Sequence, residues 1–164
     1  MHPETGQIWK WLGEIPDPEI PVISLTDLGI IRDVHWDEDT LVVKVSPTYS
    51  GCPATAMINL DIASALKGRG VEKLRLERQL SPPWTTDWIS AEGREKLRAF
   101  GIAPPGTVEA ERIRKLAGEP PLPVTCPRCG SQDTEEVSRF GSTPCKAAWR
   151  CKACLEPFDR FKCI

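Results

Sequence analysis

Two pairs of cysteines near the end of the sequence place the strongest constraint on how this chain can fold. Cys126 and Cys129 form one CxxC pair, Cys151 and Cys154 form another, and twenty-one residues separate the two pairs. Each pair can supply two thiolates from one tight turn, so four sulfurs can enclose a single zinc ion in a closed, structural site. A segment this short has little core of its own, and bound metal would supply much of its folding energy. The sequence therefore predicts a zinc-ribbon β module at residues 124–164.

Two other interpretations of the four cysteines stay open. A tetrahedron of four sulfurs also admits iron, as in rubredoxin-like sites. The pairs could instead be redox-active, although redox CxxC motifs typically open a helix within a βαβ unit, and neither pair here does so.

Cys145 and Cys163 remain outside the four-cysteine set. If the strands on either side of the second pair align with Arg150 opposite Phe158, then Cys145 falls opposite Cys163. The two thiols would then form an additional pair near the tip of the module, able to bind a metal or a cluster transiently. The structural alternative is that both are half-buried small hydrophobic residues.

The cysteine count and the charge of the chain limit its compartment and its partners. The chain has seven cysteines, and four of them form the two CxxC pairs. The odd number and the CxxC spacing favour metal binding in a reducing compartment over disulfides. The N-terminal segment is acidic and does not resemble a secretory signal, and no apolar run is long enough to span a bilayer. The net charge is −2, and residues 124–164 carry seven basic against five acidic residues. We therefore expect a cytoplasmic protein with no membrane segment and with protein rather than nucleic-acid partners.

The sequence before the cysteine-rich segment predicts an α/β (α+β) domain. The segments RDVHW and LVVKV predict two strands joined by a polar turn, PATAMINLDIASALKG predicts a helix, and VEKLRLER predicts a third strand. The expected unit is β-β-α-β, a small three-stranded mixed sheet with flanking helices. Ser90 and Thr107 are predicted to cap two further helices. We assign residues 1–103 to this domain, 104–123 to a helix and Pro-rich linker, and 124–164 to the zinc ribbon.

Cys52 is the only cysteine before the C-terminal region, and its position suggests a chemical role. With Pro53 at the first helical position, Cys52 would lie at the helix cap, where backbone N–H groups and the helix dipole stabilise a thiolate. Such a sulfur is a good ligand for a soft metal. A buried, inert cysteine is the commoner alternative.

Three segments in fixed order carry a family resemblance. DPEIPVISLTDLGII, SPTYSGCPAT and PPWTTDWISAEGREKLRAFGI combine an acidic Pro loop, a Gly-Cys-Pro helix start and a Pro-Trp loop. Together they resemble the SufT-type domain family linked to iron–sulfur cluster assembly, over nearly all of residues 5–103. With the tail FGSTPCKAAWRCKACLEPFDRFKCI, the whole chain resembles the PaaD family, the D proteins of phenylacetyl-CoA epoxidase systems.

The resemblance implies a small pocket formed by Asp17, Glu19, Asp27, Thr48 and Cys52, in a family that carries or delivers iron–sulfur clusters. The first four residues also have structural alternatives as turn, cap or surface residues. Because clusters usually take four thiolates, Cys52 could hold a transient cluster only if other ligands came from a second protomer, a partner or the C-terminal cysteines. A homodimer is one arrangement that would satisfy this requirement.

The implied function is that of an accessory maturation factor for a multicomponent phenylacetyl-CoA epoxidase in aerobic phenylacetate degradation. It would assist iron–sulfur cluster assembly or delivery, with the iron–sulfur reductase component as the expected recipient. A non-catalytic structural subunit and a zinc-ribbon protein-interaction adaptor are the alternatives. Oxygenase activity of the chain itself is not expected, because a diiron site uses Glu-x-x-His elements and neither His2 nor His35 has a Glu three residues before it.

Overall fold

The computed structural model of the protein describes residues 1–49 and 51–164, which form two compact units, Met1–Trp84 and Thr85–Ile164. The predicted domain boundary, at residue 103, differs from this division. Residues 85–103 belong with the cysteine-rich segment because Ile102 and Ala103 form a short strand that pairs with a ribbon strand. None of the helices in the described ranges is long and apolar enough to cross a bilayer.

The first unit is built on a three-stranded mixed sheet. β1 (Ile31–Asp37) and β2 (Thr40–Val45) form an antiparallel hairpin, and β3 (Leu74–Arg78) runs parallel to β2 on its other side. Neighbouring side chains on a strand point to opposite faces, and Val42 and Val43 are both fully buried, so β2 is covered on both faces. The predicted β-β-α-β order and the mixed sheet are confirmed.

Two helices accompany this sheet. α1 (Thr5–Gly13) buries Ile8 and Leu12 and contacts both β1 and the second helix. That second helix, α2 (Ala54–Lys67), connects β2 to β3, and it buries residues spaced four apart along one face: Ile58, Ile62 and Leu66.

The segment between α1 and β1, here called the acidic loop (residues 16–30), is held by its own hydrogen bonds. The Asp17 N–H donates to the Ile23 carbonyl at 2.8 Å, and the Leu25 N–H donates to the Ile15 carbonyl at 3.0 Å. The indole N–H of Trp84, a buried residue of the Pro-Trp loop, donates to the Leu28 carbonyl at 2.8 Å. Trp84 therefore fixes the end of the first unit to the acidic loop.

The second unit combines two helices with a four-stranded sheet. It begins with a 3₁₀ turn at Thr86–Trp88, and the further elements follow in chain order: α3 (Ala91–Phe100), β4 (Ile102–Ala103), α4 (Val108–Leu116), β5 (Thr134–Ser138), β6 (Lys146–Cys151) and β7 (Pro157–Phe161). The strand order is β4-β7-β6-β5, with β4 parallel to β7 and the other pairs antiparallel. The side chains of Ser90 and Thr107 cap α3 and α4 as predicted, accepting hydrogen bonds from the N–H groups of Gly93 and Ala110.

The register of β6 and β7 differs by one residue from the predicted one. Arg150 lies opposite Pro157 rather than Phe158, because a 3.0 Å hydrogen bond from the Cys151 N–H to the Glu156 carbonyl closes a shorter turn. A one-residue slip exchanges the faces to which side chains point. Cys145 consequently pairs with Lys162, whose N–H donates to the Cys145 carbonyl at 2.8 Å. The predicted register is wrong, and with it the reason for expecting Cys145 and Cys163 to be cross-strand neighbours.

Candidate functional site

The four cysteines of the two CxxC pairs converge at one point of the second unit. Their sulfur atoms all lie within 4.8 Å of one another. The sulfurs of Cys126 and Cys154 are 3.8 Å apart, and those of Cys129 and Cys151 are 3.6 Å apart. A regular tetrahedron with metal–sulfur bonds of about 2.3 Å has edges of about 3.8 Å. The donor set therefore fits a tetrahedral ion such as zinc, with every ligand position filled by sulfur.

The two CxxC turns are built alike. The Arg128 N–H points at the Cys126 sulfur at 3.4 Å, and the Cys154 N–H points at the Cys151 sulfur at 3.5 Å. The residue after each pair has a left-handed backbone, Gly130 with φ 78° and Leu155 with φ 66°. Glycine at position 130 makes a left-handed backbone predictable from the sequence, whereas leucine at position 155 gives no sign of one.

The electrostatics of the cluster favour a bound cation. The N–H of Cys154 donates to the Cys151 sulfur and is the main reason why the pKa of Cys151 is lowered to about 7. At Cys154, the N–H of Glu156 acts to lower the pKa, but burial and the three neighbouring thiols outweigh it and raise the pKa to about 12. Four thiols at these distances resist ionising together, and a divalent cation removes that resistance.

The cluster is part of the hydrophobic core of its unit. The buried Cys126 and Cys151 pack with Ala103, Val124 and Phe158. Ala103 lies on β4, so residues predicted to belong to the first domain contribute to the packing around the metal-binding thiols. A two-residue strand has too little pattern to be recognised in a sequence.

The matched turns predict opposite effects of two substitutions. Leu155→Gly should raise the stability of the metal-loaded protein by roughly 0.5–1 kcal/mol, because a left-handed backbone costs a non-glycine residue about 1–2 kcal/mol and the leucine side chain is mostly exposed. Gly130→Ala should lower it by a similar amount, since a Cβ meets no atom within 4 Å and only the backbone cost remains. Thermal melts of the two variants test this. A lower melting temperature for Leu155→Gly would contradict it.

Cys52 lies beside Thr48 just before α2. The helix begins at Ala54 with Pro53 in the cap position, so Cys52 is one residue further out than predicted, and its carbonyl accepts from the Thr55 N–H at 3.2 Å. Cys52 is 9% exposed, and the Thr48 hydroxyl donates to its sulfur at 3.8 Å. The structure thus brings together these two of the five residues in the expected pocket.

The two aspartates of the expected pocket, Asp17 and Asp27, hold the acidic loop. A carboxylate oxygen of Asp17 accepts from the N–H groups of Glu19 and Ile20 at 2.9 and 2.8 Å. Asp27 and Ser24 form a reciprocal pair, in which the Asp27 carboxylate accepts from the Ser24 N–H and the Ser24 hydroxyl accepts from the Asp27 N–H. Both aspartates are buried. These hydrogen bonds are the ones expected of the turn and capping alternatives.

Within residues 1–49 and 51–164, the four-cysteine cluster is the one group of three or more His, Cys, Asp or Glu side chains with ligand atoms this close. Cys52, Asp17, Glu19 and Asp27 do not form such a group there.

The remaining two cysteines have separate surroundings. The buried Cys145 sulfur lies 3.0 Å from the Thr143 hydroxyl. The Cys163 thiol donates to the Gly106 carbonyl at 3.7 Å and accepts from the Thr86 hydroxyl at 3.8 Å, and burial raises its pKa. These contacts favour the structural alternative for both thiols.

Comparison with known proteins identifies both parts of the chain. A family model described as "Iron-sulfur cluster assembly protein" matches residues 5–73, and one described as "PaaD zinc beta ribbon domain" matches residues 111–162. Two solved structures resemble the chain. One, a domain of unknown function (DUF59) from Bacillus anthracis, has TM-score 0.52 and 25% identity over 56% of this chain and 89% of its own. The other, a conserved hypothetical protein from Thermotoga maritima, has a TM-score of 0.50 and 29% sequence identity. The match covers 58% of this chain and 94% of the Thermotoga maritima protein.

A curated protein extends the match to the full length. This Escherichia coli (strain K12) protein, named as the putative D subunit of a 1,2-phenylacetyl-CoA epoxidase, is 47% identical over 99% of this chain and 94% of its own length. The resemblance expected from the sequence motifs is confirmed. The chain therefore belongs to the PaaD family, the D proteins of phenylacetyl-CoA epoxidase systems.

Proposed function

We propose that this chain is a non-catalytic accessory protein that assists iron–sulfur cluster assembly or delivery for a phenylacetyl-CoA epoxidase. The observation that carries the proposal is the joining of two features in one chain: an iron–sulfur assembly match at residues 5–73 and full-length similarity to the D protein of an epoxidase. The iron–sulfur reductase component is the proposed recipient, because its cluster is the cargo that such a factor would supply.

The two parts of the chain have different proposed roles. Four sulfurs at tetrahedral spacing leave no open position on a bound ion, so we assign zinc a structural role and the ribbon a role in contacting a protein partner. Cluster handling falls to the first unit, where Cys52 offers a thiol next to the Thr48 hydroxyl. A single thiol cannot retain a cluster alone. Completion of its ligand set by a recipient protein would make the binding transient, as delivery requires.

Cluster transfer between purified proteins tests the proposal. We expect the chain, purified without air and reconstituted with iron and sulfide, to restore the visible absorption and electron transfer of cluster-free reductase faster than iron and sulfide alone. Omitting the chain, and replacing it with the Cys52→Ala variant, are the matched controls. Equal rates in all three reactions would contradict a delivery role.

A structural role within the epoxidase complex is the second candidate, favoured because the Escherichia coli relative is named as a component of the enzyme itself. A structural component should remain in stoichiometric amount in the purified, active epoxidase. A maturation factor should be dispensable once the reductase holds its cluster. Activity of an epoxidase assembled from cluster-loaded reductase without this chain distinguishes the two.

A further inference from the structure

β3 forms the outer edge of the first unit's sheet, and among the residues that the structure describes its ladder is with β2 alone. The Lys73 carbonyl accepts from the Leu41 N–H at 2.9 Å, and the Gln79 N–H donates to the Val45 carbonyl at 2.9 Å. In a parallel ladder every second residue directs both its backbone groups at the neighbouring strand. The alternate residues Leu74, Leu76 and Arg78 therefore direct their N–H and C=O groups away from β2.

The same edge borders a groove between β3 and α2. A cavity of about 450 Å³ is lined by Ala63 and Lys67 from the helix and by Leu74 and Leu76 from the strand. Leu74 and Leu76 are only half-buried, although their side chains face the helix. Leu80, just beyond the strand, is 59% exposed. The edge thus offers apolar side chains as well as backbone groups that are directed away from β2.

The other edge of the sheet is protected in a way that β3 is not. β1 has a register irregularity between Ile31 and Asp33, and such bulges are a common device against edge-to-edge pairing. The β3 ladder has no irregularity over its five residues. Its protection comes from three charged side chains, of which Arg75 and Arg78 are exposed and Glu77 is partly exposed.

These charges are complementary to a second copy of the same strand. If two β3 strands pair antiparallel about a two-fold axis at Leu76, then Arg75 of each copy lies opposite Glu77 of the other. The outward-directed backbone groups also come opposite one another in this register. Leu74 of one copy lies opposite Arg78 of the other, and the two copies of Leu76 lie opposite each other. An axis at Glu77 or at Arg75 would instead bring two like charges together.

We propose that this chain forms a two-fold dimer through β3, joining the two three-stranded sheets into one continuous sheet centred on Leu76. Each protomer contributes one Arg75 and one Glu77, and both cross-strand pairs are attractive. Within one copy, Arg75 already contacts Glu77 at 3.0 Å and Asp37 at 2.9 Å. The side chains of Arg75 and Glu77 remain 49% and 40% exposed, so they can also reach a partner strand.

Charge reversal at the axis provides a specific test. Arg75→Glu places Glu opposite Glu at both positions, and Glu77→Arg places Arg opposite Arg at both. We expect each variant to raise the dimer dissociation constant by about tenfold or more, measured by sedimentation velocity, because two attractive pairs become repulsive. An equimolar mixture of the two variants should recover dimers, since the glutamate introduced in one variant then faces the arginine introduced in the other.

The controls separate the interface from general effects of charge. Arg98→Glu reverses an exposed ion pair with Glu95 on α3 and should leave dimerisation unchanged. Circular dichroism of each variant shows whether it is folded. A monomeric wild-type chain, dimeric single variants or a mixture that stays monomeric would each overturn the proposal.

Discussion

Replacing Cys126 by serine should release the zinc ion and unfold the second unit, while Met1–Trp84 remains folded. Cys126 is 1% exposed, and its sulfur is one of four that enclose the proposed ion. Apparent binding energies of structural zinc reach about 10–16 kcal/mol, and a protein domain is typically stable by only about 5–15 kcal/mol, so losing the metal removes most of the stability.

The extent of unfolding should follow the observed unit rather than the predicted ribbon. Because Ala103 and Val124 pack against the cysteines, hydrogen exchange should lose protection from α3 and β4 onwards and not only after residue 124. Metal analysis should find about one zinc in the wild type and none in the variant. Cys145→Ser is the matched control, since this buried thiol of the same unit lies outside the cluster. Stoichiometric zinc in both Cys126→Ser and Cys154→Ser would refute the site.

Local patterns in the sequence were sufficient to predict most of the individual elements. Capping by Ser90 and Thr107 depends on neighbouring residues only, and both caps are present. The spacing of the CxxC pairs likewise encodes a local turn that brings two sulfurs together. These features do not depend on where distant parts of the chain lie.

Two differences from the sequence predictions, in the β6–β7 register and in the division of the chain, both involve long-range pairing. The β6–β7 register depends on how many residues the second turn holds, and Leu155 adopts a left-handed conformation that leucine seldom takes. The boundary near Trp84 depends on a two-residue strand, Ile102–Ala103, that becomes a strand only because β7 lies beside it. The expected pocket of the first unit shows a related limit. The sequence around Asp17 fits both a turn residue and a pocket residue, and a local pattern does not choose between them. The N–H groups of Glu19 and Ile20 donate to the Asp17 carboxylate, which accords with the turn.

Cys52→Ala should abolish growth on phenylacetate in a strain that depends on this chain, and the reductase from that strain should lack its cluster. The expectation follows from the proposed role of Cys52 as the thiol that receives a cluster. The Cys52 side chain is buried beside Thr48, so alanine removes one sulfur atom and leaves a small cavity. The fold and the zinc content should both survive.

Serine at the same position separates ligand chemistry from packing. Cys52→Ser keeps the size of the side chain and can still accept from the Thr48 hydroxyl, but it offers no thiolate to a soft metal. If Cys52 is a ligand, both variants should fail to support growth even though their melting temperatures differ. If Cys52 only fills space, function should follow stability, and whichever variant melts closer to the wild type should grow normally.

The matched control is the other buried thiol with a hydroxyl neighbour, Cys145, which lies beside Thr143 in the second unit. Cys145→Ala creates a similar cavity and should leave growth and reductase cluster content unchanged. Because the two substitutions remove the same atom from comparable surroundings, a defect confined to Cys52 would have a chemical rather than a packing cause. Normal growth of Cys52→Ala with fully loaded reductase would show that the first unit does not act through this thiol, and the delivery role would have to be abandoned in favour of a structural role in the epoxidase complex.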